Sequence, residues 1–278
     1  MCQRARATRP RPHSPKSVQL ANQPLVPIVC WLQYKHGSVP RAPERGTIPP
    51  HTFDGDTMRP RDAATLIILR RRREVLLGRR NAQHVFMPHR YVFPGGRVDA
   101  GDARVACPVT LSRATQGQLQ RSVTAPRAQA LAMAAVRETF EETGFILGKR
   151  CSSPPQTRSP HWQPFFDTGH VPALDRLRYF ARAITPPGMV RRFDARFFLC
   201  HERDLHGSLR GNGELTDLRW VPLDEVDTLP LAPITQLVLG LVRQGLDANT
   251  AASQQSALYR ELAGRELIEL HWEALKKP

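Results

Sequence analysis

Three glutamates, Glu138, Glu141 and Glu142, stand within about one helical turn of one another and just ahead of Gly144. A glycine in that place closes a helix, so the acids occupy its carbonyl end, the negative pole of the helix dipole. Each acid so placed costs on the order of 0.3–1 kcal/mol. The like charges of Glu138 and Glu142, four positions apart, repel each other further. A divalent cation reverses the sign of both effects, and the cluster therefore predicts a metal site. Oxygen-only ligands suit Mg²⁺ or Mn²⁺ rather than zinc. Such ions bridge diphosphate oxygens, neutralise charge that develops in the transition state and acidify a bound water. The competing reading is a solvated acidic helix face.

Positioning these side chains falls to a helix predicted over 125–143, with Thr124 as its cap and Leu131, Ala135 and Phe140 on its apolar stripe. Ahead of it, β-rich runs at 64–69 and 74–78 are joined by four consecutive arginines, Arg70 to Arg73. That run reads as a solvated hairpin turn, with a phosphate- or RNA-contacting patch as the alternative. Tyr91-Val92-Phe93 is a third short strand, ended by Pro94-Gly95-Gly96. Residues 103–124 are polar and weakly patterned, and read as a surface insertion. Further strands are predicted at 177–184, 195–200 and 215–221, and a helix start at Pro222-Leu223-Asp224-Glu225. An apolar helix is predicted over 234–242 and an amphipathic one over 253–270. Strands and helices alternate without the regular rhythm of a doubly wound sheet.

The chain has 278 residues and a net charge of +15, from forty basic against twenty-five acidic side chains. That excess favours an anionic partner such as a phosphate ester. Five scattered cysteines, without C-x-x-C spacing, argue against a disulfide framework or a zinc knuckle and for a reducing compartment. No apolar run approaches the ~20 residues of a membrane span, so no membrane partner is expected. Neither an RNA-recognition motif nor an interleaved aromatic series is present, so nucleic acid is not the expected partner either. Residues 1–57 form a Pro- and Arg-rich stretch without periodic apolar positions, read as a disordered basic tail. Alternatives for it are an organellar transit peptide or a native start at Met58. The working division is a domain over 58–246, including the insertion, and a helical extension over 247–278. A cytoplasmic location is expected, unless the tail directs the chain to an organelle.

Gly95-Gly96 with Asp102, followed by Arg137-Glu138, Glu141-Glu142, Gly144 and Phe145, resembles the Nudix box, G-x5-E-x7-R-E-U-x-E-E-x-G-U, where U is bulky and apolar. Three departures are visible. Asp102 is one methylene shorter than the family glutamate, Thr139 fills an apolar position, and residues 103–136 replace a seven-residue spacer. The resemblance implies an α/β fold, the Nudix α/β/α sandwich with a mixed sheet, carrying a long insertion within its box. It implies Glu138 and Glu142 as metal ligands, Glu141 as a third, and a backbone carbonyl at Gly95 completing the shell. It casts Arg137 as the arginine that holds the glutamates. In the family the general base comes from the box, here Glu138 or Glu141, or from a later loop glutamate. Glu214 is the loop candidate, with a plain turn residue after Gly213 as the alternative, and Asp217 is a weaker one.

The interrupted box, Phe86-Met87-Pro88, Thr185-Pro186-Pro187 and the stretch from Arg192 to Phe198 resemble the Nudix subfamily of the peroxisomal coenzyme A diphosphatase, nudix hydrolase 19. The resemblance spans about residues 62–243. It implies Mg²⁺- or Mn²⁺-dependent hydrolysis of a small-molecule nucleoside diphosphate, coenzyme A or an acyl-coenzyme A first. ADP-ribose, a dinucleotide or a nucleoside triphosphate are the alternatives. Arg192 and Arg196 would then clamp phosphates through their planar forks, or else are strand-edge arginines facing solvent. The chain ends Lys276-Lys277-Pro278 and not in a peroxisomal Ser-Lys-Leu. A catalytically weak module that binds nucleotide or RNA is the reading from another class, and the intact glutamates argue against it.

Overall fold

The computed structural model describes residues 59–84, 87–185, 191–247, 256–262 and 265–271. The proposed tail at 1–57 and the proposed start at Met58 lie outside these residues, as do Phe86, Pro186 and Pro187. The centre of the fold is β1 (Arg61–Arg70), whose near-continuous apolar run is buried on both faces. Such a run belongs in the middle of a sheet covered on both sides. It turns back into β2 (Glu74–Arg80) through the arginine run, where Arg71 and Arg72 hold φ values of 50° and 57°. Positive φ at both central positions gives the turn whose twist matches that of its strands. The Arg70 guanidinium donates to both oxygens of Glu74, at 2.6 and 2.8 Å, and lies over the Trp220 ring.

Short strands β3 (Tyr91–Val92) and β4 (Gly95–Arg97) pair with β2 and β1 respectively. Two short helices follow, α1 (Ala100–Arg104) and α2 (Arg113–Leu119), and then the long α3 (Ala125–Thr143). A small hairpin of β5 (Gly148–Arg150) and β6 (His170–Pro172) encloses α4 (Gln163–Phe166). Three longer strands, β7 (Arg178–Ile184), β8 (Phe193–His201) and β9 (Leu215–Pro222), return to the main sheet, and α5 (Pro233–Asp247) follows. Pairing is parallel between β1 and β8 and antiparallel for β1 with β2, β2 with β9 and β7 with β8, so the sheet is mixed. One face packs Leu66, Ile68 and Phe198 with Leu131 and Ala135 of α3. The other packs Ile67, Leu69 and Phe197 with Val238 and Leu239 of α5. This is the expected α/β/α sandwich. Among the described residues no helix is long and apolar enough to cross a membrane.

Three expectations change. The amphipathic helix expected over 253–270, and with it the helical extension of 247–278, is replaced by two strands, β10 (Ser256–Leu262) and β11 (Arg265–His271). β10 pairs in parallel with β7, whose outer edge would otherwise present unpaired backbone groups. A helix over that span would also carry Gly264 in its interior, at a cost of about 1 kcal/mol. The insertion over 103–124 is not merely superficial, because it buries Val105, Leu111 and Leu119 in the same core as α3. Those three positions fall on a loop and a two-turn helix, so no period announced them. Finally, the helix start expected at Pro222 to Glu225 is a turn that leads only into a short 3₁₀ helix at Val226–Thr228.

A charge network, buried at Arg196 and Asp194 and exposed at Arg127, ties β1, β7 and β8 to the start of α3. The Asp194 carboxylate accepts from Arg182 at 2.7 and 2.8 Å and pairs with Arg196 at 2.7 Å. Arg127 of α3 donates to Asp62 of β1 at 2.5 and 2.6 Å. Burial alone would raise the Asp194 carboxyl, but the Arg182 bonds and the charges of Arg196 and Arg182 outweigh it and hold it below its ordinary value. A depressed carboxyl stabilises the fold above its unfolded-state pKa, and loses that contribution as pH falls through the lower folded-state value. Asp194→Asn is therefore expected to cost about 3–5 kcal/mol near pH 7. In urea titrations the gap from wild type should narrow only below about pH 4. An equal gap at pH 7 and pH 3 would show that the Asp194 charge is not the source.

Candidate active site

Helix α3 delivers the acid cluster to one end of the sheet. Its core-facing residues pack against β1, and Gly144 ends it with a φ of 73° while donating its N–H to the Phe140 carbonyl. The last turns then project toward β4, which β1 holds through the register Ala64↔Gly96 and Thr65↔Gly95. At Gly95, φ is 150°, and an added Cβ would lie 2.4 Å from the Ala64 carbonyl oxygen. Only glycine tolerates that combination. Its N–H donates to Glu142 Oε2 at 2.8 Å. A Cβ on Gly96 would lie 2.4 Å from the Glu138 carboxyl group, so the second glycine makes room for the second acid.

Arg137 organises the remaining acids from a position only 2% exposed. It donates through Nε to Asp102 Oδ1 at 2.8 Å and through Nη2 to Asp102 Oδ2 at 3.0 Å and the Arg97 carbonyl at 2.9 Å. Through Nη1 it reaches Glu141 at 2.9 Å and Glu138 at 3.0 Å. Burial would depress this guanidinium, but the Asp102 bonds and the charges of Glu138, Asp102 and Glu141 outweigh it and secure its proton. Asp102 on α1 is thus a buried counter-charge. His161 Nδ1 lies 3.3 Å from Glu141 Oε1, and the Trp162 indole N–H donates to Asp102 at 2.9 Å.

The electrostatics at the glycine pair run the other way. Burial raises the Glu138 carboxyl to about 7, Arg137 partly offsets the rise, and the charges of Glu141 and Glu214 add to it. Glu142 is pushed well above the ordinary carboxylate range by burial and by Glu138, against the lowering effect of the Gly95 N–H. Arg80, at the end of β2, is lowered by burial, while Glu142 and Glu214 raise it. The half-buried Glu138 carboxyl beside the buried Glu142, with Glu141 and Glu214 adding negative charge, makes a strongly cation-seeking patch.

Of the residues expected from the sequence, the structure brings Glu138, Glu141, Glu142, Arg137 and the Gly95 backbone together. Glu214 lies in the exposed loop before β9, close enough to act on both Glu138 and Glu142, and its carbonyl meets the His84 ring at 3.2 Å. Asp217 points elsewhere, accepting from Tyr91. Of the two expected phosphate clamps, Arg196 is taken up inside the fold. Arg196 is fully buried, paired with Asp194, and leaves Nε and Nη2 without a hydrogen-bond partner. It is neither a clamp nor a solvent-facing arginine, because its strand position faces the α3 layer together with Phe198. Arg192 donates to the Thr185 carbonyl at 3.1 Å. Thr139, at the family's apolar position, is fully buried, and its hydroxyl oxygen has no partner.

Sequence reasoning did not anticipate Arg80, His161 and Trp162. Arg80 left a faint signal, as a basic residue ending an apolar strand just ahead of the glycine pair. His161 and Trp162 left none, since their approach depends on how the β5–β6 hairpin folds back.

Mg²⁺ or Mn²⁺ suits the site by donor chemistry: Glu138, Glu141 and Glu142 offer carboxylate oxygens, and their crowding is unfavourable without a cation. Among the described residues, however, no three His, Cys, Asp or Glu side chains already share one point. Glu138 and Glu141 turn to Arg137, and Glu142 to the Gly95 N–H. Ligation would require them to exchange these partners.

No family model matches the chain. It is 28% identical over 179 residues to a curated Caenorhabditis elegans protein named "Putative nudix hydrolase 7", covering 60% of this chain. The chain spans about half of that relative, 53% of its length. It is also similar to the crystal structure of a NUDIX hydrolase from Alicyclobacillus acidocaldarius, with a TM-score of 0.52 at 28% identity. That likeness covers 69% of this chain and 97% of the bacterial one.

Proposed function

On the premise of membership in the Nudix hydrolase superfamily, which both likenesses support, we propose that this chain is a Mg²⁺- or Mn²⁺-dependent hydrolase of a nucleoside diphosphate linked to a second group. The observation that carries the reading is the close packing of Glu138 and Glu142 on the Gly95-Gly96 backbone, with Glu141 held beside them by Arg137. Glu138, Glu142 and Glu141 would hold the cation, which when bound would neutralise diphosphate charge and acidify a water. Arg137 keeps the glutamates at the helix end and stays protonated while doing so. Arg80 adds positive charge beside Glu142, where a phosphate oxygen would arrive. Glu214, on an exposed loop facing the buried acids, is the candidate to take the proton of the attacking water.

The substrate proposed first is coenzyme A or an acyl-coenzyme A, cleaved to the phosphopantetheine and adenosine 3′,5′-bisphosphate halves. This rests on the interrupted box and on the flanking sequence resemblance. ADP-ribose, dinucleotides and nucleoside triphosphates are the competing substrates. A screen of these compounds with Mg²⁺ and with Mn²⁺ tests the reading. Coenzyme A should give the highest kcat/KM, and Glu214→Gln should lower kcat by about 10²-fold with KM little changed. Hydrolysis of ADP-ribose but not coenzyme A would replace the substrate. Nucleotide binding without hydrolysis under both metals would replace the enzyme by a binding module.

A further inference from the structure

We propose that Trp162 is a positioning residue of the hydrolytic site, its indole N–H fixing Asp102 and, through Asp102, Arg137 and the glutamates. The inference rests on the hydrolase reading above. Trp162 belongs to no part of the Nudix box and lies sixty positions beyond Asp102, yet it is fully buried against it.

The carboxylate of Asp102 has all four acceptor directions in use. Oδ1 accepts from Arg137 Nε at 2.8 Å and from Trp162 Nε1 at 2.9 Å. Oδ2 accepts from Arg137 Nη2 at 3.0 Å and from the Asp99 N–H at 2.7 Å. An aspartate ends one methylene short of the glutamate that the Nudix pattern carries there, and the indole is the partner that reaches it. A buried carboxylate with one donor removed is free to rotate away from its arginine, and Arg137 is the group that donates to Glu141, at 2.9 Å.

The turn that carries Trp162 is built to seat on this spot. The Ser159 carbonyl accepts from the backbone N–H groups of Trp162 and Gln163 at 3.1 and 3.0 Å. On α1, Gly101 makes the approach feasible, since an added Cβ would lie 2.9 Å from Ser159 Oγ. The neighbouring His161 meets Glu141 at 3.3 Å. Consecutive residues of one turn therefore touch both ends of the chain Asp102–Arg137–Glu141. Behind them the indole packs on Phe165 and Phe166, with ring centroids at 5.4 and 5.7 Å, and Phe165 packs on Phe140 of α3. Phenylalanine would supply a ring here but no donor; the N–H is what a tryptophan adds.

The test measures Mn²⁺ affinity by electron paramagnetic resonance without substrate, steady-state kinetics and melting temperature on the full chain. Trp162→Phe keeps a ring in place and removes the N–H. It should weaken Mn²⁺ binding and lower kcat about tenfold each, with KM within about twofold. Phe166→Leu loosens the same aromatic cluster but leaves the N–H, so it should lower the melting temperature while Mn²⁺ affinity and kcat stay within about twofold of wild type. In an Asp102→Asn background, Trp162→Phe should add little further loss, because the route through Asp102 is already cut. Three results would each overturn the proposal: wild-type Mn²⁺ affinity and kcat in Trp162→Phe, equal losses in Phe166→Leu, or full additivity with Asp102→Asn. A wild-type chain that neither binds Mn²⁺ nor hydrolyses any diphosphate would instead sink the hydrolase reading, and this proposal with it.

Discussion

Glu142→Gln is expected to cut turnover about a thousandfold while making the metal-free protein harder to melt. The two effects have one origin. Glu142 is 5% exposed, shares its pocket with Glu138, and has its carboxyl pushed well above the ordinary range by burial first and by Glu138 second. A glutamine of the same shape removes a desolvated charge and leaves an oxygen for the Gly95 N–H. The metal-free fold therefore gains. With Mn²⁺ present the ranking is expected to invert, because the variant would lack one of the proposed ligand carboxylates. A loss of several kcal/mol in transition-state stabilisation corresponds to roughly a thousandfold in rate. Kinetics with Mn²⁺ and scanning calorimetry with and without it measure both arms. Turnover within tenfold of wild type would remove Glu142 from the metal site. A lower metal-free melting temperature would mean that the Gly95 bond, and not the charge, dominates there.

The second large effect is expected at Arg137, where replacement by methionine should cost about 3–5 kcal/mol in chemical denaturation. The change strands Asp102, which is 1% exposed and would keep only the indole and one backbone N–H as donors. Removing both charges together, as Asp102→Leu with Arg137→Leu, should recover a large part of that loss without recovering hydrolysis. The pair would then serve the site and not the stability of the fold. A double variant as unstable as the single one would show that the clamp is structural, and a single variant losing under about 1 kcal/mol would show that Asp102 finds other partners.

Much of this site was legible from residue types alone. Three acids just ahead of a glycine were expected at a helix end, and Gly144 does close α3 with a left-handed φ. The strands around β1 announced themselves through unbroken apolar runs, which only a doubly covered sheet can bury. Arg196 was misread because a strand arginine gives no sign in sequence of which face it takes. Its burial follows from the register that sets it opposite Ala64 and Arg182 and beside Asp194. The two C-terminal strands were misread as a helix because Leu and Glu recur there at spacings that suit either period, and an open strand edge decided the outcome. Trp162 and His161 could not be found from sequence at all. Their contacts run 60 and 20 positions along the chain and depend on a hairpin closing first.

The clamp between Asp102 and Arg137 spans 35 positions, filled by α1, α2 and the first turns of α3. Closing a loop of about 35 residues instead of about seven costs roughly 1.4 kcal/mol more in chain entropy. That cost falls on the ion pair that holds the arginine of Glu138 and Glu141, so the helix and its acids can form before the clamp does. In kinetic terms the fold and the working site become separable events, and the second waits for the inserted segment to lie down on the first.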